Sequence, residues 1–143
     1  MRRVCALLAA IAVAVGARGL AAQGVDPRGD WRTVATPHFR VHFRAEHEAQ
    51  GRRAAADAER AWARLAAELT PPRGPVDLVV ADNVDFSNGY ANTFPSNRIV
   101  VYAQPPVDVA SLRFYDDWSE LLITHELTHV FHLDRSRGAW RAT

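Results

Sequence analysis

The sequence predicts an α+β fold, helices packed on a largely β layer, from three observations. Phe39, Val41 and Phe43 alternate with Arg40, His42 and Arg44, the period of two that gives a strand one apolar face. Two longer segments, 46–69 and 118–133, carry apolar residues at helical spacing. Between them lie two apolar runs of strand length, 76–81 and 98–102. The predicted order is strand, helix, strand, strand, helix.

At the start of the chain, Arg2 and Arg3 precede an apolar run from Val4 to Val15, and small residues follow from Ala17 to Ala22. This is the pattern of an export signal, residues 1–22, cleaved near Ala22. The run is shorter than the roughly 20 residues that span a bilayer, so no membrane span is expected after cleavage. The expected location is periplasmic or extracellular. Cleavage removes the single cysteine, Cys5, which excludes a disulfide framework in the remainder. It also removes three of the 17 Arg and no acidic residue, leaving 14 Arg against 16 acidic side chains. There is no Lys and no basic tract, so nothing points to a nucleic-acid partner.

Residues 23–35 form a lead-in, loose through Asp30, with Trp31 to Val34 able to add a short strand. Residues 36–143 form the domain. In its first helix Ala58, Trp62, Leu65 and Leu69 make the apolar stripe, and Pro71-Pro72 stops it. Val76 to Ala81 is a strand, Asp82 to Ser96 is polar and turn-rich, and Arg98 to Tyr102 is a strand closed by Pro105-Pro106. Asp116 or Asp117 caps the last helix, which runs through Trp118, Leu121, Leu122, Ile123, Leu127, Val130 and Phe131. Trp62 and Trp118 fit core anchors better than an aromatic ligand site.

That last helix contains His125-Glu126-Leu127-Thr128-His129. Two imidazoles four residues apart share one helical face and can hold a zinc ion between them. Glu126, displaced by roughly 100° around the axis, can lean toward a water at that ion and take its proton. A metal-dependent hydrolase is therefore the leading function. The longer metzincin pattern needs Gly at 132 and His at 135, where this chain has His132 and Arg135. His132 can take a supporting place beside the metal, and Asp134 can orient a ligand imidazole. His38, His42 and His47 make a second metal site only if the fold gathers them with His132. The chain ends fourteen residues after His129 without an obvious third ligand, so it is expected to be the N-terminal part of a larger protein.

Gly89-Tyr90-Ala91, Asn97 to Tyr102, Pro105-Pro106, Asp117-Trp118, Leu121-Leu122, His125 to His129, His132-Leu133-Asp134 and Gly138 form an ordered series. This series resembles the secreted bacterial gluzincin-like, peptidase-MA-type domains found ahead of TolB-like β-propellers. The resemblance covers residues 36 to the end. It implies a zincin-like mixed sheet, incomplete at the C-terminus, and a zinc metallopeptidase whose third ligand is a Glu on a later helix. It also implies a downstream propeller in the same protein. Under it, Arg98 to Tyr102 is the edge strand beside the active-site helix, where a peptide adds by backbone hydrogen bonds. Arg98, Val100, Tyr102, Tyr90 and Asn92 are then candidates for contacting that peptide. The residues leave two alternatives open: a noncatalytic peptide-binding or assembly module with the same fold, and a zinc hydrolase of nonpeptide amides.

Overall fold

In the computed structural model, which describes residues 28–82, 88–102 and 117–136, the alternating segment becomes strand β2, Phe39–Arg44. Phe39, Val41 and Phe43 are buried, and the intervening side chains face the other way. Strand β1, Trp31–Ala35, lies antiparallel to it, pairing Trp31 with Arg44 and Ala35 with Arg40. A single 3-10 turn, Ala45–His47, leads into helix α1, Glu48–Glu68. The helix closes where the Leu69 N–H donates to the Leu65 carbonyl at 2.7 Å, just before Pro71-Pro72. The proposed export signal, Pro105-Pro106, Asp116 and the tail after Ser136 lie outside the described residues.

Strand β3, Val76–Ala81, runs parallel to β2, as a crossover through α1 requires, and β5, Arg98–Tyr102, runs parallel to β3. Residues 89–92, which the sequence assigns to a turn-rich connection, form a further strand, β4. It is antiparallel to β5, with Gly89 opposite Val101 and Asn92 opposite Arg98. The sheet order is β1-β2-β3-β5-β4. Arg98–Tyr102 is therefore an interior strand and not the expected edge. Among the described strands the edge is β4, whose Gly and Asn are weak strand formers and hid it from sequence periodicity.

The register puts Phe39, Val41, Phe43, Val76, Leu78, Val80, Ile99 and Val101 on one face, all buried in a single core. Helix α1 and helix α2, Trp118–Ser136, both cover that face. α1 contributes Ala54, Ala55, Ala58, Ala61 and Trp62; α2 contributes Leu122, Ile123, Leu127, Val130 and Phe131. Trp62 joins the layers, meeting Phe39 edge-on at 5.6 Å and Phe131 at 5.1 Å. Trp118 packs against the same cluster, so both tryptophans serve as core anchors.

The small residues of α1 let it sit close to the sheet. At Gly51 a Cβ would stand 2.1 Å from Cδ1 of the buried Phe43, inside any permitted contact. Gly51→Ala is expected to destabilise the chain, because overpacking costs about 1–3 kcal/mol while the helix gains only about 1 kcal/mol from Ala. Urea denaturation measures the net sign, and a variant as stable as the parent would refute this packing account.

Candidate metal centre

Helix α2 is held at both ends and along one side. Asp117 caps it, its Oδ1 accepting from the Glu120 N–H at 3.1 Å. Three arginines of α1, Arg53, Arg60 two turns on and Arg64 one turn further, reach across to it. Arg53 binds Asp117 at 3.0 Å, Arg60 binds Glu120 at 2.8 Å, and Arg64 reaches both Glu120 and the Thr124 hydroxyl. At the far end Asp134 is buried and accepts from the backbone N–H of Arg73 at 2.9 Å, pinning the helix to the turn before β3. These contacts hold Glu120 and Asp117 below the usual carboxylate range. For Glu120 the Arg60 and Arg64 hydrogen bonds are the main cause. For Asp117 burial pushes upward but the Glu120 N–H and Arg53 outweigh it.

On the face of α2 turned away from the core, His125, His129 and His132 are all exposed. The Nε2 atoms of His125 and His129 lie 3.2 Å apart, with the two rings at 83°. The distance is that of a hydrogen bond between the two imidazoles, and it is also close to the roughly 3.3 Å that separates two ligands of a tetrahedral zinc at bond lengths of 2.0–2.1 Å. Among the described residues no third His, Cys, Asp or Glu closes around this pair.

Glu126 sits at the boundary between core and open face and is buried. It makes no hydrogen bond or ion pair to a described residue. Edge strand β4 runs beside it: a Cβ on Gly89 would meet Glu126 Cγ and Leu122 Cδ1 at 3.3 Å and the Val100 carbonyl oxygen at 3.0 Å. Glycine fits this approach without strain, whereas a Cβ would make the neighbouring atoms give by a few tenths of an ångström. Asn88 and Tyr102 form a hydrogen-bonded pair, the Tyr102 N–H donating to the Asn88 carbonyl. By alternation the backbone groups of Gly89 and Ala91 turn toward the outer edge of the sheet.

The other sequence-derived candidates fall elsewhere. Asp134 bonds to the Arg73 backbone, so neither ligand imidazole is oriented by it. His132 is exposed and has no partner among the described residues. Tyr90, Asn92, Arg98, Val100 and Tyr102 share one parity in the β4–β5 register, opposite to that of Ile99 and Val101. Their side chains thus leave the sheet on the face away from α2, and the expected lining of a cleft at the histidines by Tyr90, Asn92 and Tyr102 does not occur. What β4 presents to the helix side is Gly89 and Ala91.

The three earlier histidines are held apart. His38 pairs with Glu59 at 2.7 Å and stacks on Trp62. His42 bridges Thr33 and Asp77 on the open face of the sheet, where Arg40 also clamps Asp77. His47 binds Asp82 at 2.9 Å.

Two groups of three His, Asp or Glu side chains bring ligand atoms within 4.8 Å of one another, close enough to chelate a metal ion. They are Glu46, His47 and Asp82, and Asp57, Asp117 and Glu120. Neither was found from sequence, since each joins residues separated by a strand or more in the chain. The second group adjoins a shallow groove of about 390 Å³ lined by Arg64, Asp117, Glu120, Leu121 and Thr124. Its carboxylates face three arginines, and only Oδ2 of the buried Asp57 lacks a partner.

The chain matches no protein-family profile, no curated protein and no solved structure. No helix among the described residues is long and apolar enough to cross a membrane.

The ion network of α2 carries a pH dependence of known sign. A carboxylate with a lowered folded-state pKa stabilises fully above its unfolded value, about 3.9 for Asp and 4.3 for Glu, and loses that contribution as pH falls through the folded value. Urea stability should therefore fall as pH drops below about 5, and Glu120→Gln should flatten this slope while lowering stability at neutral pH. An unchanged slope would exclude Glu120 as a contributor.

Proposed function

We propose that this chain carries the metal-ligating and proton-accepting part of a zinc-dependent hydrolase acting on peptide bonds. The observation that carries the reading is the 3.2 Å approach of the His125 and His129 Nε2 atoms on an open helix face, with Glu126 beside them. His125 and His129 would hold the ion. When bound, zinc supplies Lewis acidity to a substrate carbonyl and a water.

Glu126 is suited to receive a proton. The residue as a whole is buried, and no described residue spends its hydrogen-bonding capacity. It would take the proton of the attacking water and return it to the leaving nitrogen. On the outer side of β4 the Gly89 N–H donates to Asn88 Oδ1 at 2.8 Å, and the Gly89 carbonyl with the Ala91 N–H and carbonyl would be the groups offered to an extended peptide alongside Glu126. Such pairing positions a scissile carbonyl through main-chain bonds and makes little demand on side-chain identity. The gluzincin-like reading, with an exported peptidase whose third ligand lies outside the described residues, rests on the sequence series alone; the mixed α+β sheet is compatible with it.

A second reading, a noncatalytic peptide-binding module, is favoured by one observation: no third donor joins the histidine pair among the described residues. The two readings separate on metal and turnover in the full-length protein. Glu126→Gln should keep zinc while lowering peptide hydrolysis by about 10²–10⁴-fold, and His129→Ala should lose both zinc and turnover. Full turnover in Glu126→Gln would remove Glu126 from the mechanism. Peptide affinity that survives chelation, without hydrolysis in the parent, would establish the binding module.

A further inference from the structure

We propose that the histidine pair of α2 is shared between two copies of this chain, each supplying His125 and His129 to one four-coordinate zinc, with α2 of one copy laid antiparallel on α2 of the other. The inference rests on the zinc-binding part of the function proposed above, and adds to it a partner and a resting state.

Leu121, His125, His129 and Leu133 follow one another at intervals of four and form one ridge along the helix. All four are exposed, Leu121 by 36% and Leu133 by 46%. Of the four large apolar side chains exposed among the described residues, these two leucines bracket the histidines. The order Leu-His-His-Leu reads the same in both directions. A two-fold axis crossing the ridge between His125 and His129 therefore sets His125 against the partner's His129 and Leu121 against the partner's Leu133, a self-complementary contact.

Coordination asks for the same arrangement. The two Nε2 atoms lie 3.2 Å apart, and among the described residues no third donor, His132 included, is gathered with them. A closed zinc site takes four ligands, which two such pairs supply without any other residue. Charge does not oppose the contact. From Leu121 to Leu133 the only formally charged residue is Glu126, and it is buried, so two neutral ridges meet.

Interfaces that hold without a metal engage roughly 20–30 residues a side. One ridge offers far fewer, so the affinity comes from the shared coordination and a chelator reverses it. Four imidazoles leave no position for water at the ion, which makes the paired form inactive. A third ligand from the same chain competes with the second copy for that position.

The test is sedimentation equilibrium of the metal-free full-length protein titrated with zinc, with bound zinc counted by metal analysis. A doubled mass at one zinc per two chains is expected, reversed by a chelator and absent in His129→Ala. Leu121→Arg changes an exposed position and keeps both histidines; it should weaken pairing by at least about tenfold, because it sets a charge in an apolar contact. One zinc per chain overturns the shared site and leaves the hydrolase reading standing, whereas no bound zinc overturns both. An unchanged mass on adding zinc, a doubled mass that survives chelation, or pairing untouched by either variant also overturns the proposal.

Discussion

The arrangement rests on one-sided burial of the sheet. Because successive strand residues point to opposite faces, the register of β2, β3 and β5 gathers eight large apolar side chains on one side and leaves Arg40, His42, Asp77 and Arg98 on the other. Both helices must cover the same face. α1 takes the half over β2, and α2 is left the half over β5 and β4, which places His125 to His129 beside the sheet's open edge. The position of the histidine pair thus follows from the strand pattern as much as from its own motif.

Within α2 the helical period sorts functions by angle. Ile123, Leu127 and Val130 are fully buried, and His125, His129 and His132 are exposed. Glu126, next to Leu127 in sequence, falls where the buried sector meets β4. A residue there is withdrawn from solvent without being enclosed by apolar side chains. The missing side chain of Gly89 creates that seam, since any Cβ would press on Glu126, Leu122 and the β5 backbone.

The strands 39–44, 76–81 and 98–102 and both helices were legible because each repeats one periodicity over a full element. β4 was not: four residues that include Gly and Asn give no pattern, and an edge strand needs apolar residues on one side only. Missing it displaced the edge assignment onto Arg98–Tyr102. The faces of Tyr90, Asn92 and Tyr102 were equally hidden, because parity within a strand is defined only once its register with a neighbour is known. The His125, Glu126 and His129 spacing was legible because helix geometry alone brings those residues together. Glu46, His47 and Asp82 meet only after β2 and β3 pair, so no local spacing announces them.

Arginine supply divides the carboxylates of this chain into two kinds. Burying an ionised carboxylate is costly unless hydrogen bonds or a counter-charge replace the lost water. Asp117, Glu120 and Asp77 meet that cost with guanidinium groups from neighbouring elements, and such carboxylates serve to join elements. Glu126 is just as withdrawn from solvent as Asp134, but Asp134 receives a backbone N–H and Glu126 receives nothing from the described chain. Among the described residues no hydrogen bond or ion pair to the Glu126 carboxylate gives it a stabilising role. That retained acceptor capacity, one residue from His125, is the feature on which the proposed proton-accepting role of Glu126 rests.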